Sequence, residues 1–281
     1  MVAGGKDRMD LKALKETPPW DWPEDTAEKL LSVLQDEQAA ESDRLLATEM
    51  AGDFTVVNEK LVETLLTLLC GCDESEGVRS QAAISLAPIL EYADTEGFDD
   101  ADDVPISERT FRRIQESLRE LYHDAQIPRE VRRRILEASV RAPRDWHENA
   151  IRSAYDSGDD LWKLTAVFCM RFVHGFDEQI VEELHNRNPS IHLEAVLAAG
   201  NCGVEAAWPH VASLIHSGKT PKPLLLAAIE AVPNVRPQEA REVLADLTES
   251  DDEDIVDAVH EALATAEEPS CEDEDEDLFL E

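Results

Sequence analysis

Along nearly the whole chain, apolar residues recur at spacings of three and four, and almost no segment alternates with a period of two, so the pattern predicts helices and an all-α fold. A finer pattern sits on the first. An acidic or amide turn is followed by an apolar anchor, with small or apolar residues four and eight positions later. The anchors are Leu45, Val78, Val131, Leu161, Ile191, Leu224 and Ile255, at intervals of 33, 53, 30, 30, 33 and 31. Such a period marks a repeat architecture. Four positions past the anchors from Val78 onward stand Ala82, Ile135, Thr165, Ala195, Ala228 and Val259. Mostly small, they predict close helix approach and an anchored helix packed on both sides. Another amphipathic segment precedes each anchored helix. In residues 107–122, for example, Ser107 is placed to cap the helix and Ile106 to staple onto Phe111.

Each repeat therefore reads as a helical hairpin. About seven of them over residues 26–265 predict one continuous stack, a right-handed α-α superhelix. The 53-residue interval holds "YADTEGFDDADDVPI", residues 92–106, whose glycine, proline and aspartates read as a loop inserted between repeats. Residues 1–25 read as an N-terminal extension. Its "PPWDWP", residues 18–23, is expected to fold over the first repeat as a cap, because terminal repeats need cover. Trp146 and Trp162 are expected to pack between hairpins.

The segments "DESEGVRSQAAISLAPIL" (73–90) and "NPSIHLEAVLAAGNCG" (188–203) resemble HEAT repeats, in particular the bacterial and archaeal group similar to phycobilisome-lyase HEAT-like repeats. The resemblance covers about residues 26–265. Val78-Arg79 and Val131-Arg132 keep the apolar-arginine pair of such repeats, whereas Trp162, His192, Leu225 and Val256 depart from it. It implies a structural role for Arg79 and Arg132, bonding the acidic turn of their own or the adjacent repeat. It also implies a binding scaffold; a few HEAT-like proteins bind nucleic acid, and some resemble bilin lyases or lyase chaperones.

Charge changes the functional picture. The chain carries 62 acidic against 26 basic side chains, a formal net charge of −36, which disfavours nucleic acid and anionic membrane as partners. With 43% hydrophobic residues in long periodic segments, the chain nevertheless folds. No apolar run reaches membrane-spanning length and no signal peptide opens the sequence, so a cytoplasmic protein is expected, its five scattered cysteines free thiols. Against this background residues 109–144 hold ten arginines and five acidic residues. On a helical wheel from Val131, Arg132 falls on the buried face, and Arg133, Arg134 and Arg141 fall on the opposite, solvent side. With Arg112 and Arg113 they form a band that either balances the Asp-rich insertion or receives a partner with an acidic surface or segment. Residues 266–281 read as a disordered acidic tail, whose Leu278 and Phe279 could be captured by a groove on another protein.

Catalytic motifs are missing: HExxH, GxSxG, the Walker A loop and GxGxxG do not occur. Cys70 and Cys72 make a poor zinc set, and the aspartates at 99, 100, 102 and 103 lack the spacing of a calcium loop. His185 and His192 read as residues satisfied at a turn. The expectation is a protein-binding scaffold or adaptor, armadillo-like in its helical build, with no metal, no cofactor and no enzymatic activity. The alternatives are a bilin lyase-like protein or lyase chaperone, and a nucleic-acid binder using the arginine band.

Overall fold

The computed structural model describes residues 11–99 and 104–267. Those residues form α-helices and short 3-10 turns, with no strand among them, so the all-α expectation holds. Two compact units divide the chain, residues 1–147 and 148–281.

In the first unit the helices are α1 (Leu11–Lys15), α2 (Thr26–Leu34), α3 (Glu41–Met50), α4 (Glu59–Cys70), α5 (Glu76–Ser85), α6 (Ala87–Glu96), α7 (Glu108–His123) and α8 (Arg129–Ser139). The pairs α2/α3, α4/α5 and α7/α8 are hairpins; α3, α5 and α8 stack in succession, as do α2, α4 and α7. α9 (Trp146–Tyr155) begins at the end of this unit. The second unit continues with α10 (Asp160–Cys169), α11 (Asp177–Glu183), α12 (Pro189–Asn201), α13 (Trp208–His216), α14 (Lys222–Val235), α15 (Ala240–Leu244) and α16 (Glu253–Glu267). There α10, α12, α14 and α16 stack, and α11, α13 and α15 pair with the helices that follow them. This layering of hairpins, second helix on second helix, is HEAT-like.

The stacking follows from the repeat pattern. Six of the seven residues four past an anchor, from Ala82 to Val259, are 0% exposed; the exception is Glu49, four past Leu45, which is exposed. Gly200 on α12 shows how close the layers come: a Cβ built there would lie 2.8 Å from Cα of Ala231 on α14. The turns are capped as the polar residues suggest. Asn58, Ser75, Ser107, Asp159 and Asn188 each accept a hydrogen bond from a backbone amide in the first turn of the helix they precede.

Four expectations need correction. Leu161 is 57% exposed and Trp162 is buried instead, because the indole removes more apolar area from water and lines up with Ala166 and Cys169 on one face. The insertion at 92–106 is not simply a loop. Residues 92–96 complete α6, which stops at Gly97 in the left-handed region (φ 72°), and Val104 and Ile106 return to the core. Trp22 is covered, its Nε1 donating to the Leu14 and Thr17 carbonyls at 3.0 Å, whereas Trp20 stands 78% exposed. Finally, Arg79 is buried, but its Nε donates to the Leu69 carbonyl at 2.9 Å, not to an acidic turn. The end of α4 offers unsatisfied carbonyls and the negative pole of the helix. Arg132 is half-buried, and its Nε has no hydrogen-bond partner.

Candidate functional site

α7 is amphipathic by position. Thr110, Phe111, Ile114 and Leu118 are buried, which leaves Arg112 and Arg119 on the outer side, two helical turns apart. Its N-terminus is fixed from α4. The Glu59 carboxylate accepts from the Ser107 amide at 2.8 Å, from the Ser107 hydroxyl at 3.0 Å, and from the Thr110 hydroxyl. Partial burial raises the Glu59 pKa, but these hydrogen bonds outweigh it and hold the carboxyl below its usual range.

After α8 the chain turns back along α7 and places Arg144 and Trp146 beside it. Arg144 is braced: one guanidinium nitrogen contacts Asp94 at 3.0 Å, the other donates to the Pro143 carbonyl at 2.7 Å, and the group lies 5.9 Å from the Phe111 ring centre. Trp146 stacks on His147 with ring centres 3.8 Å apart and leans on Tyr122 at 5.1 Å. Beneath it, His147 is buried. Its Nε2 lies 3.0 Å from the Ser139 hydroxyl and its Nδ1 accepts from the Arg144 amide at 2.9 Å. Burial pulls the imidazole pKa down to about 4, so the ring is neutral at physiological pH.

Between α7 and this returning segment lies a cleft of about 590 Å³, walled by Arg112, Gln115, Glu116, Arg119, Arg144 and Trp146. Arg112 reaches back to Glu108 at 2.5 Å and Arg119 to Glu116 at 3.8 Å, both exposed pairs within α7. Such pairs contribute little and exchange readily.

The arginines of α8 behave otherwise. The expectation that Arg133 faces solvent is wrong: it is 5% exposed, with nitrogens 2.6 Å from both Glu130 and Glu137. Its hydrogen bonds hold the Glu130 carboxyl below its ordinary range, against the opposing effect of burial. Arg134, 38% exposed along its side chain, shares the same two carboxylates at 3.0 and 2.7 Å. Arg141 pairs with Glu91, and Arg113 with Glu63 at 3.1 Å. α8 packs against α5, α6 and α7 at once, so little of its circumference reaches water, and Arg133 and Arg134 are neutralised by Glu130 and Glu137 of the same helix.

Of the five arginines expected in one band, the structure therefore brings only Arg112 to the cleft. Arg119 and Arg144 were missed as site residues. The seven-residue spacing of Arg112 and Arg119 was a readable signal, whereas the return of Arg144 and Trp146 onto α7 is a tertiary event with no local signature. Leu278 and Phe279 lie outside the described residues. In the second unit His192 does find a partner, but a histidine: its Nε2 is 2.8 Å from that of His210. No group of three or more His, Cys, Asp or Glu is placed to hold a metal ion among the described residues, and no helix among them is long and apolar enough to cross a membrane.

No family model matches the chain, and a comparison with curated proteins returns no match. Among solved structures the chain is similar to the X-ray structure of YibA of E. coli, a structural genomics target, at 16% identity and a TM-score of 0.48, covering 92% of this chain and 89% of that one. It is also similar to human deoxyhypusine hydroxylase in complex with glycerol, at 14% identity and a TM-score of 0.39, covering 92% and 96%. At these values neither likeness bears on what this chain does.

Proposed function

We propose that the protein is a non-enzymatic helical-repeat scaffold of the cytoplasm that binds another protein through the arginine-bearing face of α7. One observation carries this reading: Arg112 and Arg119 stand exposed beside an open cleft, paired with carboxylates of their own helix, while Arg133 of α8 is buried between Glu130 and Glu137 and Arg134 shares those carboxylates. Stacked hairpins supply broad surface, and a partner with an acidic surface or segment suits the guanidinium groups. Affinity capture from the native cells with the wild type and with Arg112→Glu/Arg119→Glu, read by mass spectrometry, tests it. A protein held by the wild type and lost from the variant is the expected result; identical profiles would overturn the reading. The bilin-lyase alternative suggested by the repeat resemblance would require a coloured adduct on coexpression with a bilin. The nucleic-acid alternative would require oligonucleotide binding that weakens steeply as salt rises.

A further inference from the structure

We infer that the α7 cleft takes an acidic, extended peptide segment, with carboxylates three residues apart on Arg112 and Arg119 and an apolar side chain beside Trp146. This rests on the reading of the protein as a binder and names the class of its ligand.

Charge and spacing carry the argument. Arg112 and Arg119 are seven residues apart on a helix, about 10.5 Å along its axis. They do not converge: Arg112 leans back to Glu108, and Glu116 sits between the two and pairs with Arg119. A single phosphate group needs converging guanidinium forks, and a nucleic-acid backbone would drive dense negative charge past Glu116 and Asp145, which also line the cleft. A polyproline-type segment fits better. It advances about 9.3 Å over three residues and returns its side chains to the same face, so two carboxylates meet two arginines while the residues between them pass Glu116 uncharged.

Two further features suit a peptide. Gln115 lies on the cleft wall between the arginines, and its Nε2 is buried with no hydrogen-bond partner. A donor left so is costly, and a small rotation would offer it to a backbone carbonyl of the bound segment. Trp146 supplies the apolar wall, and its stack on His147 and Tyr122 holds the ring in place before any ligand arrives. Arg144, braced by Asp94 and the Pro143 carbonyl, adds a third positive group at the same wall.

The probe is a fluorescein-labelled peptide with two glutamates three residues apart, prolines between them and a phenylalanine after the second, titrated against the full chain by fluorescence anisotropy. Arg112→Ala/Arg119→Ala is expected to weaken binding by roughly tenfold or more, since each charge-assisted contact is of that order. Trp146→Leu and a peptide with glutamine in place of glutamate should weaken it likewise. Circular dichroism melts of each variant establish that it is folded, and the glutamine peptide asks the same question of unaltered protein. Binding that is undetectable, indifferent to the arginine pair or to the glutamates, or weaker than that of an oligothymidylate would overturn the inference. If the probe fails while capture from cells still depends on Arg112 and Arg119, the peptide assignment falls and the binder reading stands; if capture is also indifferent, both fall.

Discussion

α7 and α8 are partners in one hairpin, and each carries four arginines: 109, 112, 113 and 119 on the first, 129, 132, 133 and 134 on the second. Their fates differ. On α8, Arg133 is enclosed between Glu130 and Glu137, and Arg134 is shared by the same two carboxylates. On α7, Arg112 and Arg119 stand in water with loosely held partners. The cause is layering. α8 is a second helix, packed by α5, α6 and α7, whereas the outer side of α7 is uncovered in this unit. A count of positive charge locates the region; the layer decides which charges are available to a ligand.

The largest effect that could break this contrast is in stability. Arg133→Ala deletes a buried guanidinium and its charge-assisted bonds to Glu130 and Glu137; Arg134 still pairs with both carboxylates, so the expected cost is that of the lost bonds and packing, about 3 kcal/mol. Urea melts are expected to show that loss. A change under about 1 kcal/mol would mean that Arg133 is no more integral than an ordinary surface arginine.

Next in size is a pH effect at the junction that carries Trp146. His147 has a folded-state pKa of about 4 against an ordinary value of 6.5, so the folded protein prefers the neutral ring. Depression of a histidine pKa means that stability is full above about 6.5 and is lost as pH falls from there toward 4. The cause is burial, which disfavours the charged ring; the Arg144 carbonyl, 3.1 Å from Nδ1 and able to accept a proton there, offsets only part of that penalty. About 2 kcal/mol should be gone by pH 5. Histidine proton shifts followed by NMR check this directly, and a ring titrating near 6.5 would remove the argument.

A smaller effect tests how α7 is held. Glu59→Ala deletes the acceptor for Ser107 and Thr110 and is expected to cost about 1 kcal/mol, in line with the loss of a helix cap. Because the Glu59 carboxyl is held below its ordinary range, the same stabilisation should fade in the wild type as pH falls through that range. Thermal melts at pH 7 and near pH 3 should therefore show the gap between wild type and variant closing.

What could be read from the sequence was whatever is periodic. The seven anchored helices and their partners all form, and the cap at Ser107 and the burial of Ile106 and Phe111 follow from a few adjacent residues. Leu161 shows the limit of the anchor rule: the next residue, a tryptophan, had more apolar surface to hide and took the slot. Arg133 shows the limit of a helical wheel. A wheel assumes one buried face, but a helix enclosed on three sides buries its polar face as well, and Glu130 and Glu137, at i−3 and i+4, were the local sign that a charge there could be neutralised. The cleft lay beyond any local rule, because Arg144 and Trp146 reach α7 only after α8 has turned the chain back.

The smallest expected effect sharpens the comparison most. Arg112→Ala and Arg119→Ala, singly or together, should change stability by less than about 0.5 kcal/mol. Both side chains are more than half exposed, at 74% and 56%, and each makes an intrahelical ion pair. An exposed pair of this kind contributes about 0.3–0.5 kcal/mol, and alanine returns part of that through its higher helix propensity. The buried apolar residues of the helix, Phe111, Ile114 and Leu118, face the other way into the core. Urea melts of the double variant and of Arg133→Ala under one buffer set the two helices side by side. If the α7 pair proved as costly as Arg133, Arg112 and Arg119 would be parts of the fold, and a loss of binding in their variants would say nothing about a ligand. If they are silent in stability and decisive in binding, the two arginine sets serve different ends, α8's to neutralise carboxylates partly buried in the stack and α7's to meet a partner.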